Sequence, residues 1–293
     1  MIYLILTIIC TSCLTLAFKV LGRFNISSLQ AIVFNYFTCV LIGSILNRGF
    51  PVSAFRNQEP WLLWGLMMGV FFIVLFNIIA FTTQHLGVAV ASVANKLSLV
   101  IPFLFTIFFY GEASTWLKYL GVLTALIAVV MTCWPHKAIK GSTIKPEHGL
   151  ILFIPAILFL GSGVLDAVVT HVDKAFLNES NKDSYFIVAF ATAATVGGLY
   201  LLLSIATGKE KFDPRAILGG VCIGLPNYFS IWCLIKVLGD YEGNSSAIFP
   251  IVNIGIVLFS TLVAFFVFSE KLSRLNWTGI FLAVAAITLM AWG

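Results

Sequence analysis

The chain has 293 residues, 60% of them hydrophobic and only 10% charged, with a net charge of +5 and a mean hydropathy of +1.03. Soluble domains carry about 25% charged residues, so a water-soluble fold of this length is excluded. Nucleic-acid binding is excluded too, because the basic residues lie between apolar stretches and none form a run interleaved with aromatics. An outer-membrane barrel does not fit either: 61–83 and 246–268 are apolar nearly throughout instead of alternating.

Ten membrane spans are predicted in chain order, at 2–22, 29–47, 61–83, 88–110, 116–134, 149–171, 184–206, 215–237, 246–268 and 276–293. Each is near the roughly 20 residues that cross a hydrocarbon layer as a helix. The opening Met1-Ile2-Tyr3-Leu4 lacks a basic leader and a cleavage site, so it reads as the start of span 1 and not as a removed signal. Polar clusters such as Asn47-Arg48-Gly49 and Lys209-Glu210-Lys211 separate the spans. The longest polar connection, 136–148, divides the chain into halves at 1–135 and 149–293.

The halves repeat one another. Glu112, Gly121, Ala125 and Ala128 recur as Glu270, Gly279, Ala283 and Ala286, all 158 apart (270 − 112). Upstream, Lys19, Gly43, Gly65 and Gly69 recur as Lys174, Gly198, Gly220 and Gly224, 155 apart (174 − 19). Five spans per half is an odd number, so the second copy enters the membrane from the opposite side. The expected fold class is an all-α integral membrane protein with ten transmembrane helices as two inverted five-helix repeats.

Lys and Arg in the loops set orientation. Lys19, Arg23, Lys137, Lys140, Lys145, Lys209, Lys211, Arg215, Lys271 and Arg274 lie on one side, and Arg48, Arg56, Lys118, Lys174, Lys182 and Lys236 on the other. The ten-to-six bias puts the first set in the cytoplasm and both termini outside it. The expected location is a plasma membrane, of the bacterial inner-membrane kind. The six cysteines all fall in apolar stretches and read as packing residues.

Each half ends in a short Gly/Ser-Glu turn before a small-residue span: Tyr110-Gly111-Glu112 leading to Gly121, and Phe268-Ser269-Glu270 leading to Gly279. In a ten-span chain of this length, that doubled pattern resembles the EamA-like family of the drug/metabolite transporter superfamily. The resemblance implies a central cavity lined by spans 1, 3, 4, 6, 8 and 9, with spans 5 and 10 to one side for packing or dimerisation. Glu112 and Glu270 are expected to cap the spans they precede, where a carboxylate meets unpaired N–H groups.

Ionisable groups inside a membrane are costly and mark function by default. Lys96 lies inside span 4 in Ala94-Asn95-Lys96-Leu97-Ser98, and Asp166 lies deep in span 6. Asp166 has three readings: a pair with Lys96 or Lys19, a contact to a cationic group, or a coupling-proton carrier. Asn95 and Asn253 occupy equivalent positions and should face each other, bonding a solute or one another. Asn77 and Trp232 are also equivalent, so an amide in one half stands opposite an aromatic in the other. Pro226-Asn227-Tyr228 and Pro250 interrupt helical hydrogen bonding, either lining a site or kinking a helix. Tyr36 and Asn35 are candidate rim groups, and His171, Asp173 and Lys174 should face an interface.

The motifs of serine hydrolases, zinc proteases and P-loop ATPases are missing, so no enzyme activity, metal or cofactor is expected. The expected function is secondary transport of small organic metabolites, with Lys96 and Asp166 suiting an amino acid or similar zwitterion. The alternatives are a sugar-phosphate or nucleotide-sugar carrier and a non-transporting receptor or scaffold. Expected partners are the small-molecule substrate, a candidate coupling proton and the lipid bilayer. The chain would act as a monomer or as a homodimer through spans 5 and 10.

Overall fold

The computed structural model describes residues 1–111, 115–133, 153–178, 180–240 and 245–292. Those residues form twelve helices: α1 (Ile2–Arg23), α2 (Ser28–Leu46), α3 (Val52–Arg56), α4 (Leu62–His85), α5 (Val88–Leu97), α6 (Val100–Tyr110), α7 (Trp116–Cys133), α8 (Ile154–Phe176), α9 (Lys182–Ala206), α10 (Arg215–Asp240), α11 (Ser245–Val267) and α12 (Arg274–Trp292). Ten segments are long and apolar enough to cross a membrane, with α5 and α6 together making the fourth. The chain is therefore an all-helical, multi-pass membrane protein among its described residues. Glu112 and the predicted connection at 136–148 lie outside those residues.

Three local features depart from the predicted elements. The short α3 fills the loop between spans 2 and 3. The sixth span runs to Phe176, five residues past its predicted end, which brings His171 and Lys174 into its last turns. The fourth span is broken at Ser98–Leu99. Pro102 has no N–H for the Ser98 carbonyl four residues back. That carbonyl accepts instead from the Ile101 N–H at 2.9 Å, and the Ser98 hydroxyl donates to the Asn95 carbonyl at 2.5 Å. Pro226 and Pro250, by contrast, sit inside unbroken helices.

Lipid gives little hydrophobic force between helices, so close backbone approach has to supply the packing. Gly279 on α12 faces the Ala128 carbonyl and Thr132 of α7, and Gly121 on α7 faces the Ala286 carbonyl of α12. A Cβ on either glycine would come within 3.1 Å of those carbonyls. Asn276 adds a polar tie, its Nδ2 donating to the Thr132 carbonyl at 2.7 Å. The small-residue stripes of spans 5 and 10 are thus buried against each other within one chain. A dimer through these helices would have to use their outer faces, where Leu123 and Phe281 are exposed. Elsewhere Gly69 of α4 meets Ala189 and Ala193 of α9, and Gly224 of α10 meets the Asn35 carbonyl and Thr38 of α2.

Alternation of the spans puts the C-terminal ends of α1, α4 and α11 and the N-terminus of α5 at one end, called here the Lys19 end. The C-terminal ends of α6, α8 and α10 lie at the other, the His171 end. The largest buried cluster joins α1, α2, α4, α9 and α10 around Phe18, Tyr36, Tyr185 and Phe190.

Candidate substrate site

The predicted site residues fall into three groups. The first lies at mid-depth, where the C-terminal turn of α5 meets the middle of α8. Lys96 and Asn95 are half-buried there, and Asp166 is exposed although it is thirteen residues into a 23-residue helix. Lys96 and Asp166 attract each other electrostatically. The two charges do not close to an ion pair, since no Lys96–Asp166 contact falls within 4 Å among the described residues. The helix break at Ser98 had one local signal, Pro102 four residues on.

The second group lies between α2 and α10. Asn227 donates from Nδ2 to Asn35 Oδ1 at 3.0 Å, beside the Cys39 sulfur at 3.5 Å. This Asn227 amide is therefore engaged in holding two helices together, and both asparagines are buried. Tyr36 is fully buried, packed on Phe72, Phe76 and Phe190, with its hydroxyl unpartnered. It belongs to the core and not to a cavity rim, a correction to the sequence reading. Tyr228 and Trp232 border a crevice of only about 10 Å³ with Asp183, Phe186 and Phe190. That volume holds about one water at most. Trp232 also packs edge-on against Tyr3 at 5.8 Å.

The third group does not converge. Asn77 donates to the Ile73 carbonyl of its own helix at 2.7 Å. Asn95 and Asn253 do not bond one another. The polar contact between α5 and α11 is instead Ser92 with Ser260, whose hydroxyls are 2.9 Å apart. Both asparagines are half-buried and make no side-chain hydrogen bond among the described residues, which leaves their amides open to a solute.

At the Lys19 end, Glu270 does not cap the helix that follows it. Its carboxylate accepts the Val88 N–H at 3.0 and 3.1 Å, capping α5 across the bundle, and it pairs with Lys19 at 2.9 Å. Gly87 before it has φ 106°, and a Cβ there would sit 3.0 Å from Glu270 Oε2, so glycine is required on both counts. The N-terminus of α12 is capped locally, with the Ser273 Oγ accepting the Asn276 N–H at 3.1 Å and Asn276 Oδ1 accepting the Ser273 N–H at 3.0 Å. Lys19 consequently pairs with Glu270 and not with Asp166. Pairing of Lys19 with Asp166 was one alternative legible in the sequence, but nothing there signalled this three-way contact, since its members are far apart in the chain.

Beside this latch opens a cavity of about 650 Å³, lined by Lys19, Arg23, Asn25, Gln84, His85 and Ser269 among others. At the His171 end the ring of Tyr110 lies under the Lys174 ammonium, 4.5 Å from the centroid, and its hydroxyl is 3.0 Å from His171 Nδ1. His171 also packs against Trp64 and Phe105, and Asp173 pairs with Lys182 at 3.4 Å. These end groups face neighbouring helices of the same chain.

Among its described residues this is a ten-span helical membrane protein with opposite charges at mid-depth and a polar cavity at the Lys19 end. No protein-family model matches the chain. A Haemophilus influenzae protein described as uncharacterized is 27% identical over 292 residues, spanning 97% of this chain and 95% of that one. A crystal structure of a protein with 16% identity shares the fold with a TM-score of 0.57, over 99% of this chain and 98% of the other.

Proposed function

We propose that the chain is a secondary transporter of small organic metabolites, of the EamA-like kind, and that its substrate is an amino acid or a similar zwitterion. One observation carries this reading. Lys96 and Asp166 stand opposite each other at mid-depth, electrically coupled but not closed into an ion pair, beside a helix break. Leaving two such charges unclosed in a membrane interior is costly unless a wet space or a solute completes them. A zwitterion does so with its carboxylate on Lys96 and its amine on Asp166, while Asn95 and Asn253 bond its remaining polar atoms.

Alternating access would follow from two inverted halves rocking about this site. The reciprocal glycine contacts support that arrangement. Gly121 packs on α12 as Gly279 packs on α7, and Gly69 on α4 meets the seventh span as Gly224 on α10 meets the second. On the loop charges, the Lys19 end is the cytoplasmic one.

Solute counterflow in proteoliposomes, run with a panel of labelled amino acids, tests the reading. Lys96→Ala and Asp166→Asn should each lower exchange about 30-fold, as loss of a charged contact worth ~2 kcal/mol implies. Parental exchange rates in both folded variants would overturn the site. Absence of any exchange by the parental protein would favour a scaffold.

A further inference from the structure

The cavity at the Lys19 end lies apart from the mid-depth pair, and its charges are not balanced. Three basic side chains border it: Lys19, Arg23 and His85. The nearby carboxylate, Glu270, is already committed to Lys19 and the Val88 N–H, and its side chain is only 10% exposed. Arg23 is exposed and has no hydrogen-bond or ion-pair partner among the described residues. The His85 ring is fixed by its Nδ1 contact to the Phe81 carbonyl at 2.9 Å and by stacking on Phe81, 4.0 Å between centroids. The Gln84 amide is held by the Phe18 carbonyl and the Ser28 hydroxyl at 3.0 and 2.7 Å, so it serves as a fixed wall.

Two of the four non-glycine residues with left-handed backbone among the described residues, Asn25 (φ 52°) and Ser269 (φ 53°), line the same space. Backbone held in that sparsely populated region gathers at binding sites. At about 650 Å³ the cavity falls in the size range of small-molecule sites, roughly 300–1,000 Å³. Its lining is polar, which suits a hydrated, charged solute better than an apolar one.

We propose that this cavity is an anion-receiving vestibule, in which Arg23 takes the carboxylate of a small solute while Lys19 remains with Glu270. A guanidinium presents a planar fork that matches a carboxylate through two parallel hydrogen bonds. An arginine that lacks an acid partner in a polar recess is free to do so. The vestibule can hold whatever the mid-depth pair does, and its test needs no transport.

Val267 lines the cavity and is 64% exposed at the end of α11, so Val267→Cys places a reporter thiol there without touching the basic groups. The full-length variant in detergent is reacted with an anionic sulfonated methanethiosulfonate and a cationic trimethylammonium one. Rates are corrected for free thiol and for the parental protein. At a separation on the order of 6 Å in water, one uncompensated charge would speed the anionic reagent about threefold and slow the cationic one about as much, a ratio near tenfold. Adding Arg23→Gln should bring that ratio to near one, and 0.5 M salt should do the same by screening. Succinate should slow the anionic reaction saturably with Arg23 present and not with Arg23→Gln. Equal corrected rates for the two reagents, or succinate protection that survives Arg23→Gln, would overturn the proposal.

Discussion

At the Lys19 end, one carboxylate holds an ammonium and a helix N-terminus together, and a cavity stands open beside them. At the His171 end, an aromatic ring lies under an ammonium and against an imidazole, and a separate crevice lined by Tyr228 and Trp232 measures only about 10 Å³. On the repeat offsets these ends correspond: Lys19 with Lys174 (174 − 19 = 155) and Phe268 with Tyr110 (268 − 110 = 158). The chemistry has diverged at matched positions. Arg23 stands where the other half has Asn178, and Phe268 where the other half has Tyr110. Among the described residues, one end carries an ionic latch beside open space and the other an aromatic ring between an ammonium and an imidazole.

Removing the latch should have the largest effect. Glu270→Ala strands the Lys19 ammonium and the Val88 N–H together. With side chains 26% and 10% exposed, the pair lies between surface and buried cases, so the loss should be about 2–4 kcal/mol. Thermal unfolding in detergent reads this as a clear drop in the midpoint. A midpoint within a degree of the parent would mean the Lys19 end is held by something else, such as Gln30. That side chain is buried and bonds Glu210, the Lys211 carbonyl and the Asp213 N–H at 3.2, 2.8 and 2.9 Å.

The aromatic closure should matter less for stability and more for access. Tyr110→Ala removes both the ring under Lys174 and the bond to His171, together worth about 1.4 kcal/mol, which shifts an open–closed balance about tenfold. A Thr170→Cys reporter on α8 should then react with a soluble thiol reagent about tenfold faster. Tyr110→Phe keeps the ring and should change the rate less than threefold, on the order of one exposed hydrogen bond. If Ala and Phe behave alike, the ring does not close this end.

The smallest effect belongs to Asp213 and Arg215, an exposed pair at the Lys19 end. Arg215 donates to the Asp213 carboxylate at 2.8–3.1 Å and holds its carboxyl below the usual aspartate range. A depressed folded-state value stabilises above the unfolded value and fades as pH falls through the folded one. Arg215→Gln should thus lower stability by a small, constant amount above about pH 4, and the difference from the parent should shrink to nothing as pH falls further. A large loss at pH 7 would mean Arg215 has a second role.

Much of the frame was legible because membrane spans are written locally. Ten apolar runs had to become helices, since hydrocarbon offers backbone groups no other partners. The recurrence of Gly121 and Gly279 foretold close helix contacts, and both glycines make them. The site was legible only in part. Lys96 and Asp166 stood out because intramembrane charges are rare, and they attract each other across α5 and α8 without an ion pair within 4 Å. Asn77, Asn227 and Tyr36 stood out for their polarity alone. Each instead satisfies its own helix, bonds a neighbour, or packs in the core.

The sequence by itself determined the number of membrane spans, their approximate ends, the doubled pattern and the few charges that needed a reason inside a membrane. Those features depend on hydropathy and spacing over about twenty residues, which short windows contain. Only the tertiary structure decided that Glu270 caps α5 and not the helix beside it, that Lys19 is bound there and not to Asp166, and that Arg23 faces open space. These outcomes depend on which ends meet across the bundle. A carboxylate binds the nearest unpaired N–H and ammonium in space, and 182 residues of chain separate Glu270 from Val88.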